Sequence, residues 1–152
     1  MTTFEMPKEV DAIQEATLLE ADWHMVRLTQ EPTLEDNAKK KAGNSEEDGA
    51  GQNIVLRFRV VDDDPTINGR QLTKWLGWPN EGDKERFTNK GQPMIDAKME
   101  TIVTWATVLG GTVEGSNISI NSGSECHVLV TQEEYKGELQ NSIDMNAAPK
   151  PL

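Results

Sequence analysis

Four basic residues and two tryptophans fall within one short stretch of the sequence, residues 53–79, which reads NIVLRFRVVDDDPTINGRQLTKWLGWP. Guanidinium and ammonium groups pair with anions, and indole rings offer flat apolar faces for stacking. A surface that combines the two would bind a ligand that is both anionic and flat. The six candidate binding residues are Arg57, Arg59, Arg70, Lys74, Trp75 and Trp78.

Two other segments add candidates of the same chemical type. Lys39, Lys40 and Lys41 form a basic run between acidic residues, and Tyr135 and Lys136 stand together further along the chain. The lysine run has two interpretations: a solvated loop without a partner, or a flexible arm that closes over a bound strand.

The structural alternatives for the central residues follow from strand geometry. Arg57 and Arg59 lie two apart, so in a strand they share a face and could pair with acids of a neighbouring strand. Trp75 and Trp78 lie three apart, so a strand turns them to opposite faces, and we expect one of them in the core. We also expect Trp23 and Trp105 in the core.

Nothing in the spacing of reactive residues predicts a catalytic, cofactor or metal site. His24 and His127 fall within predicted strands, and the pleat turns the adjacent Cys126 and His127 to opposite faces. The aspartates at 62–64 precede a proline, which is ordinary turn chemistry and not the spacing of a calcium loop. A carboxylate-metal nuclease stays open as a minor alternative, because the chain has 26 acidic residues.

The overall composition restricts the partners. The 152 residues carry a formal net charge of -11, which repels nucleic acid at long range, so a nucleic-acid site must be a local patch. Residues 23–43 hold three acids against four bases, and residues 65–92 three against five. The sequence shows one cysteine, no apolar run of about 18 residues and no apolar signal core. We therefore expect a cytoplasmic protein without a membrane partner.

Strand patterns dominate the chain. Residues 18–29 predict a strand, and residues 53–61 predict the clearest one, with the apolar even-numbered residues 54–60 on one face. A hairpin connection at 62–69 leads to a return strand at 70–78. Later strands are predicted at 118–120, 126–130 and 138–145, with a tight turn at 133–137. One helix is predicted at 93–109, where apolar residues recur at helical spacing: Ile95, Met99, Ile102, Ala106 and Leu109.

Three segments predict little regular structure: a flexible N-terminal arm at 1–16, a long mobile loop at 30–52 and a disordered tail at 147–152. Between the arm and the tail, residues 17–146 predict one mainly β domain. Its element order fits a five-stranded antiparallel barrel with one helix between strands 3 and 4. That is the oligonucleotide/oligosaccharide-binding (OB) fold, and a small α+β sheet is the alternative.

Several short stretches carry a family resemblance. The first strand ends in LEADWHMVRL, the second reads IVLRFRVVD, the turn NGR follows, and the third ends in LGWP. Gly-Gly follows the helix, and the last strand comes after a turn in EEYKGELQNSID. Residues 17–146 thereby resemble the OB-fold single-stranded-DNA-binding proteins that tailed bacteriophages encode.

The resemblance implies non-catalytic binding of single-stranded DNA in phage replication or recombination, in the cytoplasm of the bacterial host. It implies replication or recombination proteins as partners, and it leaves room for oligomers. Arg57 and Arg59, Trp75, and the turn Tyr135-Lys136-Gly137 fall where the family grips DNA. The chain departs from the family at its end, Ala-Ala-Pro-Lys-Pro-Leu, where many members have an acidic tail. A structural or adaptor protein of a phage assembly is the second hypothesis, which the net charge favours.

Overall fold

The computed structural model describes residues 1–7, 9, 18–44 and 50–152. Eight strands, two α-helices and one 3-10 helix make up the regular structure of these residues. The strands are β1 (Trp23–Leu28), β2 (Thr33–Asp36), β3 (Gln52–Val60), β4 (Gln71–Gly77), β5 (Thr112–Glu114), β6 (Asn117–Ser119), β7 (Glu125–Tyr135) and β8 (Glu138–Ile143). The helices are α1 (Ala38–Lys41), α2 (Met94–Val108) and the 3-10 helix (Glu81–Lys84). None of these helices is both long and apolar enough to span a membrane.

Six of the strands form one antiparallel sheet with β3 at its centre. One edge of β3 pairs with β4, and the other edge is shared, with β2 along residues 52–55 and β1 along residues 58–60. β1 pairs in turn with β7, and β7 with β8, while β5 and β6 form a separate hairpin. Within the described residues no backbone ladder joins β4 to β8. The prediction of a mainly β, antiparallel fold is confirmed.

The core lies between one face of this sheet and helix α2. The apolar residues at 54, 56, 58 and 60 of β3 are buried, as their alternation predicted. Trp105 of α2 is 2% exposed, as predicted, and its ring centroid lies 6.2 Å from that of Phe58. Trp23, also predicted in the core, is only half-buried. The neighbouring strands complete the core with Val26, Leu28, Leu72, Leu76, Cys126, Val128 and Val130.

Helix α2 has almost the predicted bounds. Pro93 stands at the N-cap position, without a side-chain hydrogen bond, and not in the first turn. Gly110 follows the C-terminus with a φ of 71°, in the left-handed region. Gly111 is required for a different reason: a Cβ there would lie 2.1 Å from the carbonyl oxygen of Ser119. Met99, predicted on the core face, is 50% exposed because it lines a groove beside the β5–β6 hairpin.

The segment at 30–52, predicted as a loop throughout, contains β2 and the single turn α1. β1 leaves part of the β3 edge uncovered, and β2 pairs with that part from Thr33 to Asp36. Asn37 then caps α1, because its side-chain oxygen accepts a hydrogen bond of 2.9 Å from the backbone of Lys40. Residues 45–49 of the predicted loop lie outside the described residues.

The β7–β8 hairpin is longer than predicted, because β7 continues past residue 130 to Tyr135. The turn predicted at 133–137 consists only of Lys136 and Gly137, whose φ values are 52° and 83°. Two successive positive φ values match the twist of the flanking strands, so the ladder extends to the pair Tyr135 and Glu138.

The tail predicted as disordered is instead docked on the sheet. β8 pairs with β7 only from Val130 to Tyr135, so the β7 edge is not covered by β8 nearer its start, at His127. Lys150 pairs there: its amide donates to the carbonyl of His127 at 2.9 Å, and its carbonyl accepts from the amide of His127 at 2.8 Å. The preceding Pro149 is buried. For the predicted N-terminal arm, residues 8 and 10–16 lie outside the described residues.

Candidate functional site

One surface brings together several of the predicted binding residues. Alternation in β3 turns Arg57 and Arg59 away from the core, and the β3–β4 ladder sets Trp75 opposite Val55 and Thr73 opposite Arg57. Across the other edge of β3, Arg27 of β1 lies opposite Arg59. We call this surface the outer face, and its residues are Arg27, Val55, Arg57, Arg59, Thr73 and Trp75.

Trp75 is the prominent aromatic residue of the outer face. Its side chain is 61% exposed, although it stands on the β3–β4 hairpin opposite the buried Val55. Trp75 and Val55 line a groove of about 410 Å³ between β3, β4 and the β2–α1 segment. Its other lining residues are Glu35, Asp36, Asn37, Ala38, Lys41 and Asn53.

Arg57 is held by an acid of the neighbouring strand, the structural alternative that its spacing left open. Its guanidinium lies 2.8 Å from the carboxylate of Glu35 in β2 and donates a second hydrogen bond of 3.2 Å to the hydroxyl of Thr33. Thr33 also donates to Glu35. Hydrogen bonds from the Thr33 hydroxyl and from Arg57 lower the pKa of Glu35, so this carboxylate is charged at neutral pH.

Arg27 of β1 and Arg59 of β3 lie directly opposite each other on two neighbouring strands. Like charges placed directly opposite in a sheet repel, so this pair is unfavourable without counter-charges. Arg27, whose side chain is 50% exposed, has one in Glu125 at 3.5 Å. Arg59 is exposed and donates a 2.9 Å hydrogen bond to the carbonyl of Gly69. The outer face thus carries three arginines, of which two pair with acids.

Arg27 was not among the residues predicted to bind. Alternation along β1 places it on one face with Trp23 and Met25. What the sequence did not reveal is the register that brings Arg27 opposite Arg59.

The prediction that Lys74 lines the same surface as Trp75 is wrong. Adjacent residues of a strand point to opposite faces, and Lys74, at 7% exposure, points inward. Its ammonium lies 3.3 Å from the carbonyl oxygen of Met145 and 5.6 Å from the ring centroid of Trp105. Burial lowers the pKa of Lys74. This lysine bridges β4 to the chain beyond β8 and has no place in a surface site.

Trp78 also lies apart from the outer face. It follows the end of β4, is 39% exposed, and lines an apolar groove of about 240 Å³ with Met99 of α2 and Val113 of β5. Trp75 and Trp78 do lie on different surfaces, as their spacing predicted. Neither is buried, so the expectation that one of them belongs to the core is wrong.

The remaining predicted residues lie around the outer face or beyond it. Lys41 lines the Trp75 groove, Lys40 pairs with Asp36 at 3.7 Å, and Lys39 is exposed on α1. Arg70 belongs to the β3–β4 hairpin, where its carbonyl accepts a hydrogen bond from the amide of Val60.

Tyr135 and Lys136 stand at the tip of the β7–β8 hairpin. Tyr135 is 59% exposed, and the Lys136 ammonium lies 5.3 Å from its ring centroid. Tyr135 lies ten residues along β7 from Glu125, the acid that pairs with Arg27. That is roughly 33 Å of extended strand, so the hairpin tip is remote from the arginines of the outer face.

The aspartates at 62–64 serve the turn. Asp62 accepts a hydrogen bond of 2.8 Å from the amide of Asp64, and Asp64 accepts one of 3.0 Å from the amide of Thr66. Within the described residues, no three His, Cys, Asp or Glu side chains gather closely enough to hold a metal ion.

Comparisons with models of protein families and with curated protein sequences found no match to this chain.

Proposed function

We propose that the protein has an OB-like fold and binds single-stranded DNA on its outer face, without catalysis. The strand pairing supports the fold: β1, β3, β4, β7 and β8 would be the five barrel strands, with α2 between the third and the fourth. Lys74 supports closure between the third and the fifth, because its ammonium reaches the carbonyls that follow β8.

The observation that carries the functional proposal is the exposure of Trp75 beside the arginines. An indole ring that is 61% exposed contributes little to the core. Stacking a base on such a ring is worth about 1–3 kcal/mol and tolerates any base. In an OB fold, the faces of strands 2 and 3, here β3 and β4, form the usual ligand groove.

The arginines would bind the phosphates. Arg59, which donates to the Gly69 carbonyl, forms the positive centre of the outer face. Arg27 and Arg57 join it when phosphates displace Glu125 and Glu35. Lys41 lies at the rim of the Trp75 groove. Because the whole chain has a net charge of -11, attraction is confined to this patch, and binding is modest and strongly weakened by salt.

A titration of fluorescently labelled oligo-dT tests the proposal. At about 50 mM salt, wild-type protein should bind the single strand and bind a duplex of equal length more weakly. The double variant Arg27→Ala/Arg59→Ala should lose at least tenfold in affinity, by the loss of about two phosphate contacts. The control Lys84→Ala/Lys90→Ala removes the same charge from residues outside the outer face and should lose less. Absence of binding by the wild type at micromolar concentrations would refute the proposal.

The second candidate is an adaptor or structural protein of a phage assembly. The groove beside α2 favours it, because Trp78, Met99 and Val113 expose 39%, 50% and 44% of their surfaces there. Exposed apolar side chains gathered in one groove are typical of surfaces that contact other proteins. Light scattering coupled to size exclusion discriminates the two, because an assembly subunit associates without DNA.

A further inference from the structure

The outer face continues beyond the arginines to a second tryptophan. In β1, Trp23 and Met25 lie on the same side of the strand as Arg27, and Trp23 pairs with Leu129 of β7. Along β3 the outer face runs from Val55, which lies opposite Trp75, to Arg59. Along β1 it continues in the same direction from Arg27 to Trp23, because β1 is antiparallel to β3 and Arg27 lies opposite Arg59. We call this path the track; its two parts span four residues each, so from Trp75 to Trp23 it is about 26 Å long. It has an aromatic ring at each end and arginines between them.

The second ring is covered by the C-terminal segment of the same chain. The ammonium of Lys150 lies over the Trp23 ring, 4.0 Å from its centroid, which is close for a cation–π contact. Lys150 is placed there by its backbone pairing with His127, which sets its side chain on the His127 side of β7. Trp75, at the other end of the track, is 61% exposed.

The attachment of this segment is short. Pro149 and Pro151 flank Lys150, and proline has no N–H to donate to a ladder. The pairing with β7 is accordingly an isolated bridge with two backbone hydrogen bonds, of 2.8 and 2.9 Å. This bridge and the buried Pro149 hold the segment by less than β8 is held, which pairs with β7 over six residues, so the segment can be exchanged for another ligand.

We infer that Trp23 is a second base-stacking position of the track, and that Lys150 occupies it until a DNA strand displaces it. The inference rests on the proposed function. One face of an indole ring holds either an ammonium group or a base, so the two compete directly. A strand long enough to reach Trp23 must displace Lys150, whereas a short strand bound at Trp75 leaves it in place.

Variants of Lys150 and Trp23 separate this competition from general electrostatics. Lys150→Ala should bind an oligo-dT of about 15 nucleotides two- to tenfold more tightly than wild type, and one of about 4 nucleotides equally. The control Lys90→Ala removes the same charge from an exposed loop and should weaken binding of both. Adding Trp23→Leu should cancel the gain of Lys150→Ala on the long strand. Without DNA, Lys150→Ala should also raise the acrylamide quenching of tryptophan emission.

Three outcomes overturn the inference. If Lys150→Ala binds the long strand no more tightly than wild type, Lys150 does not compete with DNA, while binding by the wild type keeps the proposed function intact. If quenching does not rise, Lys150 does not cover Trp23 in solution. If the wild type binds neither strand, both proposals fail together.

Discussion

The guanidinium of Arg57 lies 2.8 Å from the carboxylate of Glu35, across the ladder that joins β2 to β3. The arginine nearest to the Trp75 groove is therefore already neutralised by an acid of the same protein. A phosphate can use Arg57 only by replacing Glu35. If DNA binds the outer face as proposed, this ion pair weakens the binding, and it predicts which change would strengthen it.

Glu35→Gln should raise the affinity for oligo-dT by about three- to tenfold and steepen the salt dependence by about one counterion, because Arg57 becomes available to a phosphate. Glu81→Gln is the matched control: it removes one charge from another ion pair, with Lys84, outside the outer face. Because the pKa of Glu35 is lowered from 4.5, the carboxylate stays charged from pH 5 to 8 and the gain should be constant over that range. Equal effects of the two variants would show that Arg57 does not contact DNA.

Lys74→Met should leave the affinity and the salt dependence of DNA binding unchanged. The Lys74 ammonium faces the carbonyls of Asp144 and Met145 inside the protein, where it cannot meet a phosphate. Arg59→Ala, in contrast, should reduce the salt slope by about one. Titrations of both variants at several salt concentrations measure this. A loss of slope in Lys74→Met as large as in Arg59→Ala would return Lys74 to the binding surface.

Much of the fold could be predicted because alternation is a local property of the sequence. The burial of Phe58 and the exposure of Arg59 follow from the period of two in β3, and helical spacing set α2 within one residue at each end. The same rule, applied to Lys74 and Trp75, would have separated them, since neighbours in a strand cannot share a face.

Non-local pairing explains what the sequence left hidden. β2 is a polar tetrapeptide with little strand signal, and it forms because β1 leaves part of the β3 edge free. Without β2 there is no Glu35 beside Arg57. The docking of Lys150 has the same origin, because it depends on where β8 ends and leaves the β7 edge open at His127.

Gly111→Ala should destabilise the protein more than Gly110→Ala. A methyl group at residue 111 would lie 2.1 Å from the backbone oxygen of Ser119, so the chain between α2 and β6 must shift, at about 1–3 kcal/mol. At residue 110 nothing lies within 4 Å, and the cost is only that of a side chain at a φ of 71°, about 1–2 kcal/mol. Denaturant unfolding of the two variants gives the comparison, and an equal loss would contradict the close approach.

Cys126 should be inert in the folded protein and reactive after unfolding. Its side chain is buried, and burial raises the pKa of the thiol from 9.0 to about 11. Since the unfolded thiol ionises first, the unfolded state is favoured as the pH rises from 9 to 11. The unfolding free energy of wild type should therefore fall over that range relative to Cys126→Ala. Rapid modification of the native protein by a thiol reagent at pH 8 would contradict the burial.

Fluorine NMR of protein labelled with 5-fluorotryptophan tests the central proposal most directly. The four tryptophans give separate reporters, and Trp75→Phe and Trp105→Phe assign the two that matter. On titration with oligo-dT, the resonance of Trp75, whose ring is 61% exposed, should shift and saturate, while that of Trp105, which is 2% exposed, should stay in place. If oligo-dT leaves the Trp75 resonance unchanged at low salt, single-stranded DNA does not bind the outer face.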